Sequence, residues 1–506
     1  MTRGRRSILN YVSATGLTAV TMVVGLISVP FIVRWLGDER YGAFRAAVDW
    51  FGYLSLLELG LAGALLPLLA RALSRYDNTA VERTVAAGIR AYARVTALMI
   101  LAALVLVAFI TRLIPVGTEN AADLTRAALV ATFALLLTPF LPFRWITEAR
   151  QRGYIVNTLL VVQSLVITGL SLILAYHGWG ITGQFVALLV GAVMFFGFLS
   201  VLERRRMSTL RRPLLRSAAS SDEWKQLWHL NRATLVEQIC GRVSFVSDYV
   251  VVALILGPAA VAPLYLTRRL ADLAQGQLLG VGNASWAALA DLHAIGDLTT
   301  FGQRLIEATK LVATLAIAVL VPIAIYNQTF VELWVGSPHY AGFAITLTVV
   351  CNAFLLGLLT LWGWAFGGTG KVATLVPVYI AAASLNLVAS IVFTLNLGLV
   401  GPLLGTLVAT VLTSAWYVPV QLKRTFGISL AGIARAVALP VAWGVPYTLA
   451  VWWMAARTPS IGWLGLAGEM GFATVVYMGI WWIAILDVSE RAVYAGRLRT
   501  LMRGSG

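Results

Sequence analysis

Glu237 and Asp248 stand eleven residues apart in one apolar stretch. That is about three turns of α-helix, so the two carboxylates share a face. Thr234, Gly241 and Ser244 fall on the same stripe, and Gln238 and Arg242 form an i, i+4 pair at its edge. A second apolar stretch carries Arg268, Asp272 and Gln275 on one stripe, with Arg269, Gly276 and Asn283 beside it. A third holds Arg45 and Asp49 one turn apart. Glu58 lies nine residues beyond Asp49, about 180° round an unbroken helix, so these two carboxylates are expected to face different surroundings. The first apolar stretch has a mild stripe of Thr18, Thr21, Gly25 and Ser28, with Arg34 near its outer end. Arginine suits an anionic, phosphate-bearing ligand, because its planar fork makes two hydrogen bonds to one group. The carboxylates suit uptake of a proton or sodium ion, or pairing with those arginines when no ligand is bound. The plainer alternative is that Arg45–Asp49 and Arg268–Asp272 neutralise each other along their own helices and that the stripes hold helices together.

The elements that position these residues are membrane spans. The chain has 506 residues, 59% hydrophobic and 12% charged, with a mean hydropathy of +0.83. So little charge cannot cover a water-soluble surface, and the bilayer must solvate most of the chain. A span needs about 20 apolar residues. Fourteen candidates occur, near 12–36, 43–70, 93–112, 126–147, 155–176, 181–202, 231–256, 262–289, 306–326, 342–366, 372–395, 399–421, 433–455 and 465–486. The first apolar run is too long for a cleavable signal peptide. A charge at bilayer depth costs about 2.5–3.5 kcal/mol on insertion scales, so such residues face a cavity or a partner. They concentrate in spans 1, 2, 7 and 8, which a central water-filled cavity would bring together.

The net charge of +16 invites a nucleic-acid reading, but its placement argues otherwise. Most Lys and Arg residues fall in alternate loops, which is the positive-inside pattern and puts both termini in the cytoplasm. The basic excess is then a topology signal with some attraction to anionic lipid, and no nucleic-acid partner is expected. Cys240 and Cys351 lie within spans and suggest neither a disulfide framework nor a metal site.

The polar segment 203–230 divides the chain. It begins Glu203-Arg204-Arg205-Arg206 and ends in Ser220-Ser221-Asp222-Glu223-Trp224, a capping-box spacing followed by Trp228 one turn on. A short interfacial helix leading into span 7 is expected there. Three landmarks recur at nearly one offset: Asn10 with Asn231, Leu36-Gly37 with Leu256-Gly257, and Gly180-Ile181-Thr182-Gly183 with Gly398-Leu399-Val400-Gly401. Two six-helix repeats, related by an axis along the membrane normal, follow from that spacing. The expected fold is therefore all-α and polytopic. It comprises a lobe at 1–202, a basic linker at 203–230, a second lobe at 231–421, an appended helix pair at 422–486 and a cytoplasmic tail at 487–506. The outer loops near 113–125 and 327–341 are read as roughly a dozen residues each, too small for an external catalytic domain.

Three stretches carry a family resemblance. The first is Val29-Pro30-Phe31-Ile32-Val33-Arg34-Trp35-Leu36-Gly37-Asp38-Glu39-Arg40-Tyr41-Gly42 with Leu59-Gly60-Leu61-Ala62. The second is Leu256-Gly257 through Tyr265, followed by Arg268-Arg269-Leu270, and the third is Gly370-Lys371, Asn386 and Gly398 to Gly405. In order and spacing they resemble the O-antigen and exopolysaccharide flippases of the multidrug/oligosaccharidyl-lipid/polysaccharide exporter superfamily. The resemblance covers most of the first twelve spans and is weakest over the last two. It implies a translocase that moves a polyprenyl-pyrophosphate-linked oligosaccharide to the outer leaflet of the bacterial inner membrane. The implied mechanism is alternating access about a cavity lined by spans 1, 2, 7 and 8. It further implies a tail groove at spans 13 and 14, membrane-lipid contacts, and partnership with polysaccharide polymerase or export machinery. Arg34, Arg268, Arg269 and Arg242 become candidates for the pyrophosphate, and Asp49, Glu58, Glu237, Asp248 and Asp272 for ion coupling or cavity lining. No cofactor is expected beyond a proton or sodium gradient.

A cation-coupled multidrug antiporter of the same superfamily is the nearest alternative, but it would want an anionic cavity. A membrane-embedded polysaccharide polymerase or ligase would need a large outer catalytic loop. Phosphate-loop coupling is excluded, because the residues around Gly370-Lys371 break the required spacing. The chain is thus expected to be a transporter and not an enzyme.

Overall fold

A computed structural model describes residues 3–58, 61–75, 78–205, 221–458, 461–488, 490–492 and 494–496. For 3–8, 62–64, 221–234, 245–246, 281, 283–284 and 287 the description is of the backbone. The expected basic stretch 206–220 lies outside these residues, as do the side chains of Thr234, Trp224, Trp228 and Asn283. The described chain is all-helical, as a bilayer demands, since a helix satisfies its own backbone groups without water. Each of the fourteen expected spans is helical where described. Eleven runs among the described residues are long and apolar enough to cross a membrane, and one of them, Val372–Phe426, contains two expected spans. The remaining two expected spans are less apolar or broken. The one at 262–289 carries Arg268, Arg269, Asp272, Gln275 and Gln277, and the one at 43–70 is interrupted after Leu54. Outward-facing residues are largely apolar (Leu101, Phe109, Val388, Leu449, Val475), and many buried ones are polar.

The chain forms two compact units, residues 1–262 and 263–506. The first contains α1 (Arg3–Leu36), α2 (Asp38–Leu54), a 3-10 turn (Ser55–Glu58), α3 (Leu61–Ser74), α4 (Asn78–Leu113) and α5 (Thr118–Ala134). A 3-10 stretch (Leu135–Phe140), α6 (Leu141–Ala149), α7 (Gly153–Tyr176), α8 (Gly180–Arg204) and α9 (Ser221–Ile255) complete it. Span 4 is broken in its middle, where Pro139 lacks the N–H a continuing helix needs. The backbone of α9 runs unbroken from Ser221 to Ile255, so the residues expected to form the interfacial helix and those of span 7 lie on one helix. The core gathers Tyr92, Leu69, Phe143, Ile146, Phe195 and Leu199 from α3, α4, α6 and α8.

The family-like segment Leu36 to Gly42 is a structural joint. Gly37 turns the chain at φ 76°, ψ 164°, and its repeat counterpart Gly257 does so at φ 91°, ψ 159°. Both values are closed to residues with a Cβ, so the two repeats share one backbone device at one landmark. Glu39 then accepts from Gly117 N at 2.5 Å and Asn120 Nδ2 at 2.8 Å, while Arg40 Nε donates to Asn120 Oδ1 at 2.7 Å. These bonds cap the start of α5. They hold the connection after α4 to Ile114–Gly117, much shorter than the loop expected at 113–125. At Gly42 an added Cβ would strike the Pro258 carbonyl. Gly42→Ala is expected to destabilise this unit by about 1–3 kcal/mol through overpacking, measurable as a lowered Tm in detergent.

The second unit begins within α10 (Val261–Ala294) and continues through α11 (Leu298–Val335), α12 (Phe343–Gly368) and α13 (Val376–Leu397). It ends with α14 (Gly401–Leu412), α15 (Ser414–Phe426), α16 (Leu430–Arg457), α17 (Gly462–Ile480) and a π-helical turn (Trp481–Ile485). The N-cap of α11 is Asp297, whose carboxylate accepts from Thr300 N at 3.0 Å. Hydrogen bonds from Thr300 hold this carboxyl below the usual range. At the α13–α14 turn, Cβ atoms at Gly401 or Gly405 would run into the α13 backbone at Thr394 and Ser390, which explains the glycines of Gly398 to Gly405. The last two spans are joined to α11. Pro322 lacks the N–H that would bond to the Ala318 carbonyl, and Thr474 Oγ1 (3.2 Å) and Tyr447 Oη (3.5 Å) donate to that oxygen instead. Tyr477 Oη donates to the Pro440 carbonyl at 2.6 Å.

Candidate functional site

The intramembrane charges form one group in each unit. In the first unit the group is built on the break after α2. Because α2 ends at Leu54 and Ser55–Glu58 wind as 3-10, the helical-wheel argument that set Glu58 opposite Asp49 fails. Arg242 of α9 donates from Nη2 to Ser55 Oγ at 3.3 Å, and its Nη1 lies 3.3 Å from where a Cβ on Gly52 would stand. Glu58 is within electrostatic reach of Arg242, and Tyr53 is within reach of Asp49, Asp248 and Arg242. Asp49, Glu58, Asp248 and Arg242 therefore occupy one neighbourhood. Arg242 does not pair with the exposed Gln238 one turn away, as expected from spacing, but turns toward α2. Gly241, the next residue on α9, meets nothing within 4 Å of a Cβ position and leaves the stripe open. Asp248 is buried and Glu237 half-buried on α9, while Arg45 is half-buried on α2. Arg34 is exposed in the last turn of α1.

In the second unit the arginines sit near the start of α10. Arg268 Nε donates to both Asp272 oxygens at 3.2 Å, so these two charges neutralise each other on one helix. Arg269 is different. Its guanidinium lies 5.8 Å from the Tyr265 ring centroid, and its buried Nε meets no hydrogen-bond acceptor. No carboxylate pairs with it among the described residues. Next to it, Thr267 is fixed on all sides. Its carbonyl accepts from Asn327 Nδ2 at 2.8 Å, its hydroxyl accepts from Ala341 N at 2.8 Å, and Asn327 Nδ2 also donates to Thr346 Oγ1 at 2.9 Å. A half-buried guanidinium on a helix, with no counter-charge among the described residues, has the chemistry to take up an anion.

Three further polar features escape a reading by spacing. Glu203 at the end of α8 is fully buried and ion-paired to Arg150, with Thr147 Oγ1 donating to it at 3.2 Å. The pair joins residues far apart in sequence, and Glu203 belongs to α8 and not to the polar linker expected from residue 203. Lys310 Nζ bonds Glu490 at 2.7 Å and straps the C-terminal segment to α11. Glu469 is the charged residue of α17 and lies within electrostatic reach of Tyr326. Its position in an apolar run was the available signal. Among the described residues no cluster of His, Cys, Asp and Glu is arranged to hold a metal.

A broken span beside a charged stripe, repeated turns at Gly37 and Gly257, and a packed terminal pair define a polytopic, all-helical membrane-protein fold. The lipid II flippase MurJ in an inward closed conformation superimposes with a TM-score of 0.72 over 95% of this chain and 100% of that one, at 13% identity. An inward-facing multidrug resistance MATE family transporter of the MOP superfamily gives 0.59 over 86% and 94%, at 15% identity. The outward-facing form of a MATE family transporter gives 0.57 over 89% and 99%, at 15% identity. These likenesses show the fold, which the chain shares with these three structures. The chain belongs to the family described as "Polysaccharide biosynthesis protein", whose model matches residues 8–287. No curated protein sequence matches it significantly.

Proposed function

We propose that this protein is a flippase for a polyprenyl-pyrophosphate-linked oligosaccharide, carrying it from the cytoplasmic to the outer leaflet of a bacterial inner membrane. Both termini are cytoplasmic, transport runs by alternating access and is coupled to an ion gradient, and the product feeds surface polysaccharide such as O-antigen or exopolysaccharide. Polysaccharide polymerase or export machinery would receive it. The observation that carries this reading is the uncompensated Arg269 in a member of a polysaccharide biosynthesis family. A pyrophosphate supplies the missing anion and accepts the guanidinium fork. Arg268 is available once Asp272 releases it, Arg242 and Arg34 are secondary contacts, and Asp49, Glu58, Glu237 and Asp248 serve coupling.

The MATE-like fold keeps one rival, a cation-coupled multidrug antiporter, for which the carboxylates near Tyr53 would be the drug site. Mass spectrometry of lipids copurifying with the protein separates the two. A polyprenyl-pyrophosphate glycan, lost on Arg269→Ala, is expected. A small cationic compound retained by that variant would overturn the flippase reading.

A further inference from the structure

Trp286 on α10 and Trp364 on α12, both in the second unit, are seated reciprocally. A Cβ at Gly282 of α10 would stand 3.1 Å from Trp364 Cδ1, and a Cβ at Gly368 of α12 would stand 2.8 Å from Trp286 Nε1. Each indole thus lies on bare backbone of the other helix, which glycine leaves clear. The ring centroids are 5.8 Å apart with the planes at 55°, so the rings are splayed and not stacked. Trp286 stays 42% exposed and Trp364 is half-buried. A tryptophan that serves packing looks different. Trp362, two residues earlier on α12, is buried, and its Nε1–H donates to Thr309 Oγ1 at 3.0 Å. The Trp364 Nε1–H meets no acceptor among the described residues.

The surroundings separate this pair from tryptophans that meet lipid. Exposed Trp416 is one turn from exposed Leu412, and exposed Trp452 follows exposed Leu449, all on apolar runs long enough to cross a membrane. Such residues anchor a span at the membrane interface. Helix α10 is not among those runs. Its exposed residues include Gly276, Gln277 and Gly280, and Cβ positions at both glycines meet nothing within 4 Å. A face this polar is solvated by water and not by hydrocarbon. Between Asp272 and Asp291 the helix carries no charged residue, so a charged ligand finds no counter-charge on this stretch. A neutral ligand with an apolar face and a polar rim fits two splayed indoles. A pyranose is built that way. Its C–H hydrogens carry partial positive charge and lie against the negative faces of the indoles, while its hydroxyls stay in water.

We propose that Trp286 and Trp364 form a saccharide-binding platform for a neutral pyranose of the transported glycan. This rests on the flippase reading and deepens it, by assigning a contact to the sugar chain. Trp286 is 17 residues from Arg269, which is about 25 Å along a helix. The platform therefore holds a sugar well removed from a pyrophosphate at Arg269. The arginine takes the charged carrier and the tryptophans take the glycan, as separate subsites for one molecule.

The test is saturation-transfer-difference NMR of the full chain in lipid nanodiscs. The probes are free N-acetylglucosamine, galactose and rhamnose, which carry neither lipid nor phosphate. Saturation of the pyranose C–H protons is expected for at least one of them. Trp286→Leu keeps apolar bulk over Gly368 but removes the ring, and should weaken binding about tenfold. Trp286→Tyr should retain most of the signal, and Arg269→Ala all of it. No saturation of any probe overturns the proposal, as does a signal that survives Trp286→Leu. Displacement of the sugars by tetraethylammonium marks a cation site and overturns it too. So does quenching by brominated lipid of the Trp286 share of emission, taken as wild type less Trp286→Leu, because the ring then faces hydrocarbon. Each of these failures leaves the flippase reading standing where a polyprenyl-pyrophosphate glycan still copurifies. Absence of that glycan with the sugar signal intact refutes the flippase reading and leaves the platform.

Discussion

Arg269→Ala is expected to lower the rate of lipid-linked glycan translocation in proteoliposomes on the order of 100-fold. That corresponds to about 3 kcal/mol, the combined worth of two charge-assisted hydrogen bonds to a pyrophosphate. The protein should still insert and fold, because Arg269 holds no partner whose loss would leave a buried charge behind. Arg269→Lys keeps the charge but loses the fork and should fall between. Arg268→Ala should cost less, since Arg268 already spends its Nε on Asp272, and the double variant should approach complete loss. Equal effects of the two single variants would refute the distinction between a compensated and an uncompensated arginine.

Arg150→Ala should act on stability instead. Glu203 is fully buried, and its carboxylate is held by Arg150 and Thr147. Removing one partner of a buried pair leaves a charge in a low dielectric and costs about 3–5 kcal/mol. The expected result is a large drop in Tm and in yield of folded protein. Glu203→Gln in the same chain should recover much of the loss, because the neutral amide no longer needs a counter-charge. A double variant as unstable as Arg150→Ala alone would show that Arg150 acts through its packing and not through the pair.

The legible part of this protein was what local pattern encodes. Apolar runs of span length located fourteen expected spans, each helical where described. The landmarks at Gly37 and Gly257 marked a repeat because positive φ at a turn demands glycine wherever it recurs. Arg268 with Asp272 obeyed its i, i+4 spacing. Such inferences hold because neighbours along a regular helix are also neighbours in space.

Spacing failed where the helix was not regular or the partner was distant. Glu58 was set opposite Asp49 on an ideal helix, but the 3-10 turn after Leu54 reoriented it. Arg242 was matched with Gln238 one turn away, yet it reaches across to Ser55, 187 residues off. The loop read as a dozen residues at 113–125 is shorter because Glu39 caps α5 from another helix. The sequence by itself determined a membrane-spanning repeat protein with charges on particular helices, since hydropathy and helical period are properties of consecutive residues. Only the tertiary structure decided which charges are spent and which are available. Arg268 is neutralised by its own helix and Arg269 is not. The satisfaction of a buried polar group depends on what packs against it from elsewhere in the chain.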